Sequence, residues 1–75
     1  MTRKTANWKA DPKRFPEGQL IAADYDMAGF CLACGWRREN VEPDAKNYEC
    51  HACERRAVYG ASEIAIMGLV SEGTA

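Results

Sequence analysis

Two pairs of cysteines constrain this chain more than any other feature. Cys31 and Cys34 enclose two residues, fifteen residues follow, and Cys50 and Cys53 repeat the spacing. A C-x-x-C segment forms a tight turn that points both sulfurs into one hollow, with backbone N–H groups placed to support them. Two such turns supply four thiolates in a tetrahedron, a geometry Zn²⁺ accepts without redox chemistry of its own. The spacing therefore predicts one structural Zn²⁺ held by Cys31, Cys34, Cys50 and Cys53.

The composition makes such a clamp useful. A chain of 75 residues buries a modest fraction of its surface and is marginally stable unless a metal, disulfides or a partner adds to its core. Its large aliphatic residues are only Leu20, Ile21, Leu32, Val41, Val58, Ile64, Ile66, Leu69 and Val70. No apolar run approaches the ~20 residues of a membrane-spanning helix, so no membrane partner is expected. The opening MTRKTANWKADPKRF is basic but lacks the apolar stretch of a secretory signal. The expected location is the cytoplasm, where cysteines act as metal ligands before they form disulfides.

The cysteine module resembles a zinc ribbon, in which two cysteine knuckles sit at the tips of short β-hairpins. Gly35, directly after Cys34, matches the common C-x-x-C-G knuckle, whereas the second knuckle, CHACE, places Glu54 at that position. The wider string CGWRRENVEPDAKNYECHACERRAVYG resembles small zinc-ribbon proteins encoded by bacteriophages and prophages. The resemblance covers about half the chain. It implies a small, metal-stabilised, β-rich domain, and a role in host takeover or anti-defence would fit it. Ribbons serve many functions, so the fold does not name one.

Two other four-cysteine or C-x-x-C chemistries compete. Rubredoxin-like electron carriers also use paired knuckles and thiolates accept iron as well as zinc, but their second knuckle carries proline and their pairs lie farther apart. Thioredoxin-type exchange uses one C-x-x-C at a helix start in a larger α/β domain. A closed four-thiolate site leaves no open position for water or substrate, which argues against metal-assisted hydrolysis and any small-molecule substrate. His51, inside the second knuckle, reads as solvated, because four thiolates already complete the tetrahedron.

Residues 1–19 read as a basic extended arm, broken by Pro12 and Pro16, with a turn at Pro16-Glu17-Gly18. Residues 20–75 read as the ribbon domain. Asp24-Tyr25-Asp26-Met27 alternates as a half-exposed strand does, with Asp24 and Asp26 on its solvated face. Glu42-Pro43-Asp44-Ala45 reads as a turn, and Arg55–Tyr59 as a short strand ended by Gly60. A C-terminal helix is expected over about 61–70, with Ser62 as N-cap, Glu63 in its first turn and Gly68 weakening it.

Contact residues follow from this layout. Trp8 and Phe15 sit in an arm with little core of its own, and tryptophan is enriched at binding hot spots. Trp8 either folds back on the ribbon or anchors a partner. Ile66, Met67, Leu69 and Val70 make no single clean stripe, so the tail helix either packs on several sides or offers a face to another chain. These six residues are the candidate contacts for a larger protein or nucleoprotein complex. Arg37, Arg38, Arg55 and Arg56 flank the knuckles and could instead meet nucleic-acid phosphates, as in ribbons of transcription or translation. Against this, the net charge is only −1, and Glu39, Glu42, Glu49 and Glu54 are interleaved with the arginines. Four thiolates and one Zn²⁺ would take the net charge from −1 to about −3, so the arginines also serve as charge compensation. Trp36, Tyr48 and Tyr59 read as packing residues beside the ligands. The chain is expected to be a non-catalytic binding module.

Overall fold

The computed structural model describes residues 8–71. Seven elements follow in order: β1 (Phe15–Pro16), α1 (Glu17–Asp26), β2 (Ala28–Cys31), β3 (Arg37–Glu39), β4 (Val58–Gly60), α2 (Ala61–Ile66) and β5 (Val70–Ser71). β2 is the centre of an antiparallel sheet ordered β3-β2-β4, with Phe30 opposite Arg37 on one side and Tyr59 on the other. β1 and β5 form a separate two-stranded parallel ladder that sets Phe15 beside Val70.

All four residues of β2 are buried. That fits a short central strand covered on both faces, which reads as an apolar run rather than an alternation. The alternation further upstream misleads. Asp24-Tyr25-Asp26 lies in the last turn of α1, not in a strand. Its apolar member, Tyr25, is 83% exposed, while the buried residues are Leu20 and Ala23. Their spacing of three places them on one face of a helix. Pro16, in extended conformation, is the N-cap, and Glu17 lies in the first turn, where negative charge suits the helix dipole. Met27 ends the helix in the left-handed region with φ 56°. The helix thus runs across the boundary expected between arm and domain, and residues 17–19 belong to it.

The rest of the described arm is not free either. The Lys13 N–H donates to the Leu32 carbonyl at 3.0 Å, and the Phe15 N–H to the Leu69 carbonyl at 3.0 Å. Phe15 stacks on Phe30 with ring centroids 4.7 Å apart. The expected arm residues 1–7 lie outside the described region.

The tail helix is shorter than its apolar sequence suggests. It stops at Ile66, and Gly68, with φ 78°, turns the chain back so that Val70 and Ser71 form β5. Gly60, not Ser62, is the N-cap, and it offers no side-chain bond. The Glu63 N–H of the first turn instead donates to the Pro43 carbonyl at 2.9 Å. That carbonyl satisfies one of the donors that every helix start leaves open. The turn expected at Glu42–Ala45 is present, closed by the Ala45 N–H on the Glu42 carbonyl at 3.0 Å.

Two cores share β2. Phe15, Leu20, Phe30, Leu32, Ile64 and Leu69 pack between the helices and the sheet. Cys31, Val41, Cys50, Ala57 and Val58 form the second, on the cysteine side. Trp8 packs against both. Ile64 is fully buried and Ile66 is 75% exposed, so alanine should separate them sharply. Ile64→Ala is expected to cost about 2–5 kcal/mol, and Ile66→Ala less than about 0.5 kcal/mol, measured by urea unfolding.

Candidate metal centre

Each knuckle is built by its own backbone. In the first, the Gly35 N–H donates to the Cys31 carbonyl at 2.8 Å, and the Cys31 N–H donates to the Trp36 carbonyl at 2.9 Å. In the second, the Glu54 N–H donates to the Cys50 carbonyl and the Cys50 N–H to the Arg55 carbonyl, both at 2.8 Å. The sulfurs are held in the same repeating way. The N–H groups of Ala33 and Cys34 point at the Cys31 Sγ at 3.3 and 3.4 Å. Those of Ala52 and Cys53 point at the Cys50 Sγ, both at 3.3 Å.

One position differs between the knuckles. Gly35 has φ 88° and Glu54, its counterpart, has φ 68°. Only glycine adopts this region without a steric penalty, of about 1–2 kcal/mol for an L-residue. Glu54→Gly is therefore expected to raise the thermal midpoint of the metal-loaded protein, by a gain on the order of 1 kcal/mol, with metal content unchanged.

The four sulfurs lie within 4.8 Å of one another. Cys31 and Cys53 Sγ are 3.7 Å apart, and Cys34 and Cys50 Sγ 3.6 Å. These are not disulfides, whose sulfurs lie about 2.05 Å apart. A metal–sulfur distance of about 2.3 Å in a tetrahedron requires sulfurs about 3.8 Å apart, so the cross-knuckle spacings fit a single ion held by all four. Cys31 and Cys50 are buried, Cys53 is half-buried and Cys34 is exposed. The four cysteines could hold a metal ion at this point.

The same crowding forbids four bare thiolates. Desolvation pushes the Cys31 thiol up, and pushes the Cys34 thiol up to about 12. Desolvation would also raise Cys53, but the Arg55 N–H and hydrogen bonds from the other three thiols outweigh it and lower this thiol to about 7. A divalent cation would displace the protons the cluster otherwise keeps. His51 is exposed and its ring lies 5.5 Å from that of Trp36, outside the sulfur cluster. Trp36 and Tyr48 are half-buried against the cysteine-side core.

Arg37 and Arg38 are occupied locally. The Arg37 Nε donates to Glu39 at 2.9 Å and its Nη2 to Asp26 at 3.3 Å. Its charge answers these carboxylates. Arg38 donates to the Glu49 carbonyl at 2.6 Å and lies over the Tyr48 ring at 5.3 Å. Arg55 is half-buried and Arg56 exposed. Tyr48 also donates a hydrogen bond to the Glu42 carboxylate, which lowers the carboxyl's pKa.

The six candidate contact residues divide. Phe15 and Leu69 are each 6% exposed and belong to the core. Trp8 and Val70 are half-buried against that core, with Trp8 edge-on to Tyr59 at 6.2 Å. Ile66 and Met67 are exposed. Sequence reasoning overlooked Ile21 and Tyr25, exposed on α1. Treating 17–26 as a helix would have found them, because Leu20 and Ala23 occupy the buried face.

No protein-family model matches the chain, and no curated protein or solved structure matches it at a significant level. The resemblance to phage-encoded ribbons therefore finds no matching relative. Among the described residues no helix is long and apolar enough to cross a membrane. This chain is a small compact domain with a four-cysteine cluster suited to a metal ion.

Proposed function

We propose that this chain is a non-catalytic, zinc-ribbon-like module. One structural Zn²⁺ holds its two knuckles together, and the domain works by docking on a larger protein or nucleoprotein complex. The observation that carries this reading is the closed four-sulfur cluster, with cross-knuckle spacings of 3.6 and 3.7 Å, built into one of the two cores. Four protein ligands fill a tetrahedral ion and leave no place for a reacting water. The exposed Ile66 and Met67 support docking. The nucleic-acid reading has less support, because Arg37 already faces two carboxylates.

Metal analysis of the purified chain is expected to find one zinc per chain and a colourless protein. Stoichiometric iron with visible absorption would instead favour a rubredoxin-like carrier. Chemical cross-linking in cells, followed by nuclease treatment, is expected to leave a specific protein partner attached. Retention of only DNA or RNA, with affinity falling steeply as salt rises, would favour the nucleic-acid alternative.

A further inference from the structure

The metal centre does not account for the groove between α1 and α2, which has a volume of about 230 Å³. Leu20 and Ile21 of α1, Ala65 of α2 and Val70 of β5 make it apolar, and Glu17 and Asp24 line it from α1. Ile21 is 53% exposed, and Tyr25, one turn further on, is also open to solvent. Residues four apart share a helix face, so Ile21 and Tyr25 form one ridge beside the groove. Ile66 follows Ala65 on the other helix and is exposed too. Large apolar side chains grouped in this way mark a contact surface. The groove is smaller than the roughly 300–1,000 Å³ of small-molecule pockets, and it suits a few side chains of a docked segment.

Charge selects the occupant. The helices read EGQLIAADYD and ASEIAI, with no lysine, arginine or histidine in either. Of their four carboxylates, Asp26 pairs with Arg37 at 3.3 Å and Glu63 with Lys46 at 3.8 Å. Neither cation lines the groove, whereas Glu17 and Asp24 do. Arg14, near the β1–β5 end, donates to the Gly68 carbonyl at 3.3 Å. A second copy placed symmetrically here would bring together two faces that each carry Glu17 and Asp24, an arrangement opposed by like charge.

We propose that this groove docks a basic amphipathic helical segment of a partner protein. The partner's apolar residues enter between α1 and α2, and its lysines or arginines meet Glu17 and Asp24. This rests on the docking reading above and names its surface and the partner's chemistry. Laying an apolar helix face into a groove is a recurrent recognition mode, read by anchors at i, i+3, i+4 and i+7. α1 extends about 15 Å, enough to contact two to three turns of such a helix.

The test uses the zinc-loaded full chain as bait for a library of random helical peptides. A selected peptide is then titrated into isotope-labelled protein and followed by NMR. Net basic peptides with apolar residues at helical spacing are expected, with amide shifts in α1 and α2. Ile21→Glu should weaken binding by at least about tenfold, as loss of a central apolar anchor does. Glu17→Lys with Asp24→Lys should weaken basic peptides and spare charge-reversed ones. Zinc content and thermal midpoint should stay as in the parent protein, showing that the variants fold. The proposal is overturned by an acidic or featureless selection, by unchanged affinity in Ile21→Glu, or by dimers of the free protein formed through Ile21 and Tyr25. Peptide shifts confined to β3 and the second knuckle would remove this groove and leave docking standing. Cross-linking that captures no protein would remove docking itself.

Discussion

On the proposed reading, in which one Zn²⁺ joins the knuckles, stripping the metal with a strong chelator is expected to unfold the entire domain, not only the knuckles. The reason is β2. Its Phe30 belongs to the core under the helices, and the next residue, Cys31, belongs to the core around the cysteines. Losing the ion releases Cys31 and Cys50, both fully buried, and with them the packing of Val41 and Val58. Structural zinc in small peptides contributes an apparent 10–16 kcal/mol, on the order of that range at neutral pH. Whole domains are stable by only about 5–15 kcal/mol, so the remaining interactions are too weak to keep the fold. The expected signals are loss of near-ultraviolet circular dichroism from the tryptophans and collapse of amide dispersion, both restored by added Zn²⁺. Cys50→Ser should behave like the stripped protein. A chelated chain that keeps native dispersion would contradict a structural role for the ion. The pH dependence has a definite sign. Protons compete with the metal for the thiolates, so affinity falls as pH falls, and acid should release the ion and unfold the chain together.

Gly60→Ala is expected to be strongly damaging although it lies away from the cysteines. A Cβ at Gly60 would collide with the backbone carbonyls of Glu42 and Pro43. Those carbonyls cannot swing aside as a side chain can. Pro43 accepts from the Glu63 N–H, and the Gly60 N–H is itself held by the Ala45 carbonyl at 3.0 Å. The φ of Gly60 is −70°, which any residue adopts, so the effect is purely one of space. A loss of about 3 kcal/mol is expected, the upper range for overpacking. Gly18 is the control. It lies in α1, and a Cβ added there would meet no atom within 4 Å, so Gly18→Ala should stabilise the chain by about 0.5–1 kcal/mol. Urea unfolding of both variants in the metal-loaded form separates the two effects. Equal stabilities would mean that the 42–43 turn does not press on β4.

Local features were legible from residues close in sequence. The sulfur set follows from two C-x-x-C turns, each of which closes through its own backbone N–H groups. The Glu42–Ala45 turn follows from proline and aspartate at adjacent positions. Gly60 is the last residue of its strand, which begins at Val58 and not at Arg55, and Glu63 lies in the first turn of its helix, as read. Gly68 does more than weaken that helix, since its positive φ sends the chain into β5. The pattern at 24–27 misled because four residues of alternation fit the exposed last turn of a helix as well as a strand.

The sequence by itself determined the two cysteine knuckles, because each closes through bonds between residues a few positions apart, whereas the meeting of the knuckles in one cluster joins sulfurs 16 and 22 positions apart. Only the tertiary structure decided which apolar residues are core and which are surface. Phe15 and Leu69 come from the two ends of the chain, yet the parallel pairing of β1 with β5 and the stacking on Phe30 bury both. Ile21, Tyr25 and Ile66 are as apolar as the core residues and remain outside, because Leu20, Ala23 and Ile64 already fill the space beneath the helices. Burial is settled by which face of each helix meets the sheet, and that depends on contacts among segments that sequence spacing does not connect.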